Sequence, residues 1–283
     1  MQVYFKHASP DAGVGCAAMG AKTALGKRQA GETTEFANRS LTEIDPCLLR
    51  KASMFFFLLE PSKETLGGLK SKSAAVIASV MGALENGAGG VFSATALHSL
   101  RVAEISEIIG KKMGLGEERM KRLWLAAMFH DVGKVIMDGF HLQDTPDLTP
   151  NQEKQINCHP EAGAMIVGSN PALSAIAKII AAHHERYDGE GYPLKLSGKE
   201  IPLEARIIKL ADEMDAATSK DDRPYRKPVP LEKEMRILPH EAGKRFDPKV
   251  VDAFLQIQYE IMKKFYDFGT REWQENALER VQE

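Results

Sequence analysis

The stretch MKRLWLAAMFHDVGK, residues 120–134, decides the fold of this chain. Its apolar residues recur at the three- to four-residue spacing of a buried α-helix. The polar pair His130 and Asp131 follows the apolar run at once, and Gly133 and Lys134 come next. The stretch therefore predicts a buried helix that delivers an imidazole and a carboxylate into the interior of a mainly α protein.

Two further apolar runs, Ala175–His184 and Ala205–Asp212, also end in side chains of the metal-binding type. Adjacent residues of a helix diverge by about 100°, so the tandem His183 and His184 reach one cavity only near a helix end. With two more histidines these side chains form a set of seven candidate metal ligands, which includes five of the eight histidines in the chain. The set is His98, His130, Asp131, His159, His183, His184 and Asp212.

Each of these histidines taken alone is more often a hydrogen-bonded core or surface residue than a ligand. Taken together, His-Asp and His-His pairs at the ends of apolar helices indicate several costly polar groups that converge in an apolar interior. Mixed imidazole and carboxylate donors suit iron, manganese, nickel or zinc, whereas calcium and magnesium favour shells of oxygen. A carboxylate can also bridge two ions about 3.5–4 Å apart, and Asp131 is our candidate for that bridge.

Several linked segments follow one another in an order that is typical of one family. They are His98–Val102, His130–Lys134, His159–Gly163, His183–Pro193, Ile201–Arg206, Ala211–Asp212 and Arg223–Arg226. In these segments, over roughly residues 75 to 265, the chain resembles HD-GYP domains. The resemblance implies an all-helical HD-type bundle that hydrolyses cyclic di-GMP, a bacterial second messenger, to pGpG, GMP or both at a metal cluster.

The resemblance also divides the ligands between two ions. It implies that His98, His130, Asp131 and Asp212 hold one ion, and that Asp131, His159, His183 and His184 hold the other. Family members with three metals carry a glutamate four residues before the first histidine, where this chain has Ala94. Because alanine cannot bind a metal, we predict two transition-metal ions per chain, with iron or manganese preferred to nickel or zinc.

Asp131 and Lys134 are the predicted catalytic residues. Two ions can activate water as hydroxide and neutralise charge on the phosphoryl oxygens during phosphodiester hydrolysis. The ammonium of Lys134 is placed to contact a phosphate oxygen or to protonate the leaving alkoxide. A solvated lysine after a helix end is the alternative for Lys134.

Three more side chains are predicted to contact the substrate together with Lys134. Tyr192, in a glycine-rich loop, offers a hydroxyl and an aromatic face to a guanine or a phosphate. Arg223 and Arg226 resemble the phosphate-binding cationic pair of the family, and a flexible basic loop is an equally weighted alternative. The segment that carries them is about two residues longer than the family pattern.

Two domains are predicted from the distribution of these segments. Residues 1–65 form a small N-terminal α/β or β domain with a sensory or interaction role, and residues 66–283 form the helical catalytic domain. The apolar tract Met54–Leu59 is expected to be a buried strand and is far too short to span a bilayer. With no secretory signal at the N-terminus, we expect a cytoplasmic protein without a membrane span.

Composition excludes several other classes. Three cysteines without a Cys-x-x-Cys pattern argue against a disulfide scaffold or a zinc knuckle. A formal charge of −2 gives no electrostatic reason for binding a nucleic acid polymer, so a small anionic ligand fits better.

Three functional hypotheses follow. The leading one is a metal-dependent phosphodiesterase that acts on a cyclic dinucleotide. The second is a receptor that binds a cyclic dinucleotide with little turnover, and the third is a metal-free scaffold that recruits signalling proteins. A homodimer, or a signalling protein as partner, fits each of them.

Overall fold

The computed structural model describes residues 59–84, 91–136, 156–219 and 229–270, together with residues 53, 56, 272 and 274–276. In this described part the longer regular elements are nine α-helices, which short 3-10 turns connect. They are α1 (Leu66–Leu84), α2 (Val91–Lys112), α3 (Glu117–Phe129), α4 (His159–Gly168), α5 (Ser174–Ala181), α6 (Leu203–Thr218), α7 (Leu231–Glu241), α8 (Pro248–Gln256) and α9 (Gln258–Phe268). The mainly α class and the helical bundle are therefore confirmed.

The N-terminal part of the sequence-based prediction has a different outcome. Most of the predicted domain at residues 1–65 lies outside the described residues, so its α/β or β character stays a prediction. Within the tract expected to be a strand, Phe56 and Leu59 are buried. Phe56 nevertheless lies in a 3-10 turn, so the strand prediction is wrong where the tract is described. The length of an apolar run did not distinguish a strand from a tight turn here.

Helix α3 lies at the centre of the bundle. Every residue from Leu123 to Phe129 is buried, as expected for a helical segment that is apolar on all sides. It packs against α1, α2, α5 and α6, and the ring of Phe129 meets that of Phe56 edge to face at 4.8 Å. Because α3 is enclosed by its neighbours, the residues that follow it begin inside the protein rather than at its surface.

A close backbone approach places α4 beside the end of α3. The 3-10 turn Val132–Ile136 packs against α4, and Gly133 is the residue at the contact. A Cβ atom at Gly133 would collide with the carbonyl oxygen of His159 and would lie 2.6 Å from the backbone nitrogen of Gly163. Only glycine permits this approach, which brings the first residue of α4 next to Asp131.

The substitution Gly133→Ala tests this packing. We expect it to lower the free energy of unfolding by about 2–4 kcal/mol, because the obstructing atoms are backbone and cannot move aside cheaply. Chemical denaturation of the metal-free protein measures the change. The control is Gly67→Ala in α1, where the nearest atom to the new Cβ is Thr65 Oγ1 at 4.0 Å. An unchanged midpoint for Gly133→Ala would contradict the close approach.

Candidate metal centre

Five helices bring the seven predicted ligands together. Helix α2 carries His98, and α6 carries Asp212. The other five ligands lie at helix ends: His130 and Asp131 just after α3, His159 as the first residue of α4, and His183 and His184 just after α5. Helix α5 ends at Ala181, earlier than the sequence predicted, so His183 and His184 lie in the following turn. A turn allows both adjacent side chains to face the same cavity.

The donor atoms fall into two groups, and within each group they lie within 4.8 Å of one another. One group consists of His98, His130 and Asp212, and the other of Asp131, His159, His183 and His184. All but His184 are buried. The division is the one that the family resemblance implied, apart from the sharing of Asp131.

The carboxylate of Asp131 faces both groups. Its Oδ2 atom lies 3.4 Å from His130 Nε2 and 3.7 Å from His98 Nε2. Its Oδ1 atom lies 3.3 Å from His159 Nε2. One oxygen is thus turned toward each group, which is the orientation that a bridging carboxylate requires.

Backbone carbonyls fix the orientation of three imidazoles. Each ring holds Nδ1 against the carbonyl oxygen three residues earlier: His130 against Ala127 at 2.7 Å, His159 against Ile156 at 2.6 Å and His183 against Ile180 at 2.6 Å. Because a carbonyl only accepts, Nδ1 must carry the hydrogen in the neutral ring. The Nε2 lone pair of each ring is therefore free to bind a cation.

These free lone pairs fit a metal ion. His159 Nε2 lies 3.2 Å from His183 Nε2 and 3.1 Å from His184 Nε2. Two nitrogens bound to one ion at about 2.1 Å would stand about 3.0–3.4 Å apart. In addition, the buried His130 Nε2 has no hydrogen-bond partner among the residues that the structure describes. Without a cation, two lone pairs would repel each other and a third would be buried without a partner.

The ionisation states also suit a cation. Burial lowers the pKa of His159 to about 4, and burial together with neighbouring imidazoles lowers the pKa values of His183 and His184 well below the usual range. Burial alone would raise the pKa of Asp131, but Lys134 and His130 more than offset it, so this pKa lies well below its usual range. Near neutral pH the imidazoles of His159, His183 and His184 are neutral and the carboxylate of Asp131 is charged, which is the form that binds metal.

Lys134 contacts this carboxylate directly. Its ammonium lies 2.5 Å from Asp131 Oδ2, and its side chain is 29% exposed. The predicted catalytic pair is therefore in contact, and the partial exposure leaves the ammonium open to a ligand.

A second layer of polar residues lies behind His98. The Nδ1 atom of His98 lies 2.7 Å from Asp215 Oδ2, and Arg101 donates to both oxygens of Asp215, from Nε at 2.8 Å and from Nη2 at 3.0 Å. The sequence analysis did not identify Asp215 and Arg101. The available signal was their spacing: each follows a candidate ligand, Asp212 or His98, by three residues on the same helix face.

The glycine-rich loop places Tyr192 against the site. The Tyr192 ring stacks on the ring of His184, with centroids 4.9 Å apart. The loop folds back on Glu185, whose buried carboxylate accepts a hydrogen bond from the Leu194 amide at 2.5 Å. A Cβ atom at Gly191 would collide with the backbone of Glu185, so this turn also requires glycine.

Three sequence-based assignments cannot be placed. Arg223 and Arg226 lie outside the described residues, and Ala94 lies where only the backbone of α2 is described. Backbone hydrogen bonds hold the residues that flank the arginine segment. The Val229 amide donates to the Ala217 carbonyl at 2.8 Å, and the Ser219 amide donates to the Asp215 carbonyl, also at 2.8 Å.

A groove of about 960 Å³ lies elsewhere, between α1, α2 and α9. No candidate metal ligand lines it. Its cationic side chains include Lys70 and Lys264, which pair with Glu107 and Glu104. This groove is therefore separate from the donor cluster.

No described helix is both long enough and apolar enough to cross a membrane.

Comparison with known proteins gives consistent matches. The HD domain family matches residues 62–250. A cyclic di-GMP phosphodiesterase of Thermotoga maritima is 37% identical over 166 residues, which cover 58% of this chain and 45% of that protein. The 3'3'-cGAMP-specific phosphodiesterase 2 of Vibrio cholerae is 36% identical over 164 residues, 57% of this chain and 31% of that protein. The chain thus spans less than half the length of these curated relatives.

Two solved structures share the fold. The crystal structure of a cyclic GMP-AMP-specific phosphodiesterase of V. cholerae gives a TM-score of 0.51 over 71% of this chain and 53% of that chain. An HDG"Y"P protein from Bdellovibrio bacteriovorus also gives 0.51, over 82% and 75%. Both are 18% identical to this chain, so they are similar in fold alone.

The buried histidines predict a pH-dependent stability. The unfolded chain takes up a proton at His159 near pH 6.5, whereas the folded protein does so only near pH 4, so stability is lost as the pH falls through this window. His159 alone accounts for a loss of about 2 kcal/mol by pH 5. His183 and His184 act in the same direction, and Glu185, whose pKa burial raises to about 7, acts in the opposite one.

Urea unfolding of the metal-free protein at pH 7.5 and at pH 5 measures the net effect. We expect lower stability at pH 5, and a larger loss in a Glu185→Gln variant, which lacks the opposing carboxyl group. Equal stability at the two pH values in that variant would show that the imidazoles are not held neutral.

Proposed function

Because this chain belongs to the HD domain family and groups with its HD-GYP members, we propose that it is a metal-dependent phosphodiesterase that hydrolyses cyclic di-GMP to pGpG, GMP or both. One observation carries the proposal. Two groups of nitrogen and oxygen donors lie on either side of Asp131, which turns one carboxylate oxygen toward each. Phosphodiester hydrolysis at neutral pH is a reaction for which such a paired centre is suited.

The proposed cofactor is a pair of transition-metal ions. His98, His130 and Asp212 with Asp131 would hold one ion, and His159, His183 and His184 with Asp131 would hold the other. Iron or manganese is preferred over nickel or zinc for this donor set. When bound, the ions supply an activated water and neutralise charge on the phosphoryl group.

The remaining roles belong to side chains that surround the donors. Lys134, partly exposed beside Asp131, is placed to contact a phosphate oxygen or to protonate the leaving alkoxide. Tyr192 presents its face and hydroxyl at the edge of the site. Arg223 and Arg226 complete the proposed substrate contacts as cations for phosphate. With a bacterial second messenger as substrate, the proposed reaction takes place in the cytoplasm.

A direct assay tests the proposed function. The protein is purified under reducing, low-oxygen conditions, its metals are quantified, and it is incubated with cyclic di-GMP or, separately, with 3'3'-cGAMP while linear products are followed by chromatography. We expect two metal ions per chain and the formation of pGpG or GMP. If the protein contains metal and binds the nucleotide tightly without cleaving it, the receptor hypothesis is correct. If the protein contains no metal and shows no turnover, the scaffold hypothesis is correct.

The substitution Asp131→Ala tests the bridge. We expect it to abolish hydrolysis and to reduce the metal content, because both proposed ions lose a shared ligand. Metal analysis and product chromatography measure the two effects. Asp252→Ala is the control, since Asp252 is an exposed aspartate on α8 that pairs only locally with Gln256 in the described structure. Wild-type metal content and turnover in Asp131→Ala would disprove the bridge.

The substitution Lys134→Ala separates catalysis from metal binding. We expect kcat to fall about 10²–10⁴-fold while the metal content stays at the wild-type level, because a proton donor is lost but no ligand is. Steady-state kinetics and metal analysis together measure this. The matched control is Lys178→Ala, an exposed lysine on α5. Unchanged kcat would identify Lys134 as a surface lysine without a catalytic role.

A further inference from the structure

We propose that Asp215 and Arg101 make one of the two metal positions tighter than the other, so that metal ions load in a fixed order. The His98 position denotes His98, His130 and Asp212 with the Oδ2 atom of Asp131. The His184 position denotes His159, His183 and His184 with the Oδ1 atom of Asp131. The His98 position is filled first. This inference rests on the metal centre of the proposed function.

Asp215 gives His98 a support that the neighbouring imidazoles lack. The Nδ1 hydrogen of His98 points at a charged carboxylate oxygen 2.7 Å away, whereas His130, His159 and His183 point at neutral carbonyl oxygens. A carboxylate partner fixes the tautomer and raises the electron density on the opposite nitrogen. His98 Nε2 is therefore a stronger donor than an imidazole supported by a carbonyl.

Arg101 allows this carboxylate to remain charged inside the protein. Asp215 is 1% exposed, and a buried, unpaired carboxylate would be very unfavourable. The guanidinium of Arg101 binds both of its oxygens and also donates to Ser219 Oγ at 3.0 Å. The three contacts hold Arg101 in place beside Asp215, where its Nη2 atom shares Asp215 Oδ2 with His98 Nδ1. Arg101 and Asp215 thus act as positioning residues rather than as ligands.

The ligand charges favour the same position. The His98 position includes the carboxylate of Asp212, 3.2 Å from His98 Nε2, in addition to its share of Asp131. The His184 position has three imidazoles and no carboxylate beyond its share of Asp131. A divalent cation is attracted more strongly where the negative charge is greater. Lys134 contacts the Asp131 oxygen on the His98 side and offsets part of this charge difference.

Titration of the metal-free protein with Mn²⁺ tests the order. Calorimetry measures the affinities, and electron paramagnetic resonance distinguishes an isolated Mn²⁺ from a spin-coupled pair. We expect two phases in the wild-type protein, with an isolated ion after one equivalent and a coupled pair after two. A single phase with coupled pairs from the first addition would overturn the fixed order.

Two ligand variants, both of which retain Asp215 and Arg101, assign the phases. His98→Ala is expected to remove the tight phase and His184→Ala the weak one. The reverse assignment would overturn the proposal. Failure of the wild-type protein to bind Mn²⁺ at all would instead reject the metal centre itself, and with it both the proposed function and this inference.

The substitution Asp215→Asn tests the cause of the difference. Asparagine keeps the size and an acceptor oxygen but removes the charge, so we expect the tight phase to weaken about 10–100-fold and the weak phase to stay unchanged. The control is Asp247→Asn, which removes another buried aspartate paired with an arginine, Arg206, away from the candidate ligands. An unchanged tight phase in a folded Asp215→Asn protein would overturn the role of Asp215.

A double variant distinguishes two explanations for weaker binding in Asp215→Asn: the loss of support for His98, and repulsion of the metal ion by the unpaired guanidinium of Arg101. In Asp215→Asn alone, the guanidinium of Arg101 remains without its counter-charge and repels a metal ion. Combining Asp215→Asn with Arg101→Met removes both charges. We expect the tight phase to remain weakened in the double variant, and full recovery of its affinity would show that Asp215 only neutralises Arg101.

Discussion

The burial of the Asp131 carboxylate is the constraint on which the rest of this structure depends. A carboxylate at 2% exposure, directly after the buried apolar segment Leu123–Phe129, must be compensated by nearby donors or cations. The Lys134 ammonium lies 2.5 Å from Oδ2, but the Nε2 atoms of His130 and His159 face the carboxylate with lone pairs, so a bound cation between these atoms would complete the compensation. The arrangement of the surrounding helix ends follows from the need to bring these groups to one point.

The protein meets this need mainly with backbone groups at the ends of its helices. The last turn of a helix leaves carbonyl oxygens without partners, and the Nδ1 hydrogens of His130 and His183 use such carbonyls. One contact thereby uses a carbonyl at a helix end and orients a ring. His98 lies within a long helix, where the carbonyls are already paired, and a side-chain carboxylate takes their place. For His98, His130 and His183, the position relative to the helix therefore explains which kind of partner supports the ring.

Much of the site could be predicted from the sequence because its ligands lie next to signals that are local. His130, Asp131, His183 and His184 follow apolar runs, and the end of such a run is visible in the residue order. The support of His98 by Asp215 and Arg101 joins residues more than 100 positions apart, and spacing alone does not reveal such a contact. The end of α5 was placed too late because Ala182 and the two histidines can continue a helix by propensity, and only packing decides otherwise. The strand predicted around Phe56 was wrong because there, too, packing rather than local propensity decides the backbone conformation.

The contact at Gly133 determines more than the stability of the fold. It joins main chain to main chain, so the distance between the end of α3 and the start of α4 does not depend on the length or rotamer of any side chain. His130 and Asp131 lie on one side of that contact and His159 on the other. The spacing of His130 and Asp131 from His159 is therefore set largely by the backbone. Substitutions among the donors can change which ion is preferred and how strongly it binds. They leave the distance between the end of α3 and the start of α4 unchanged.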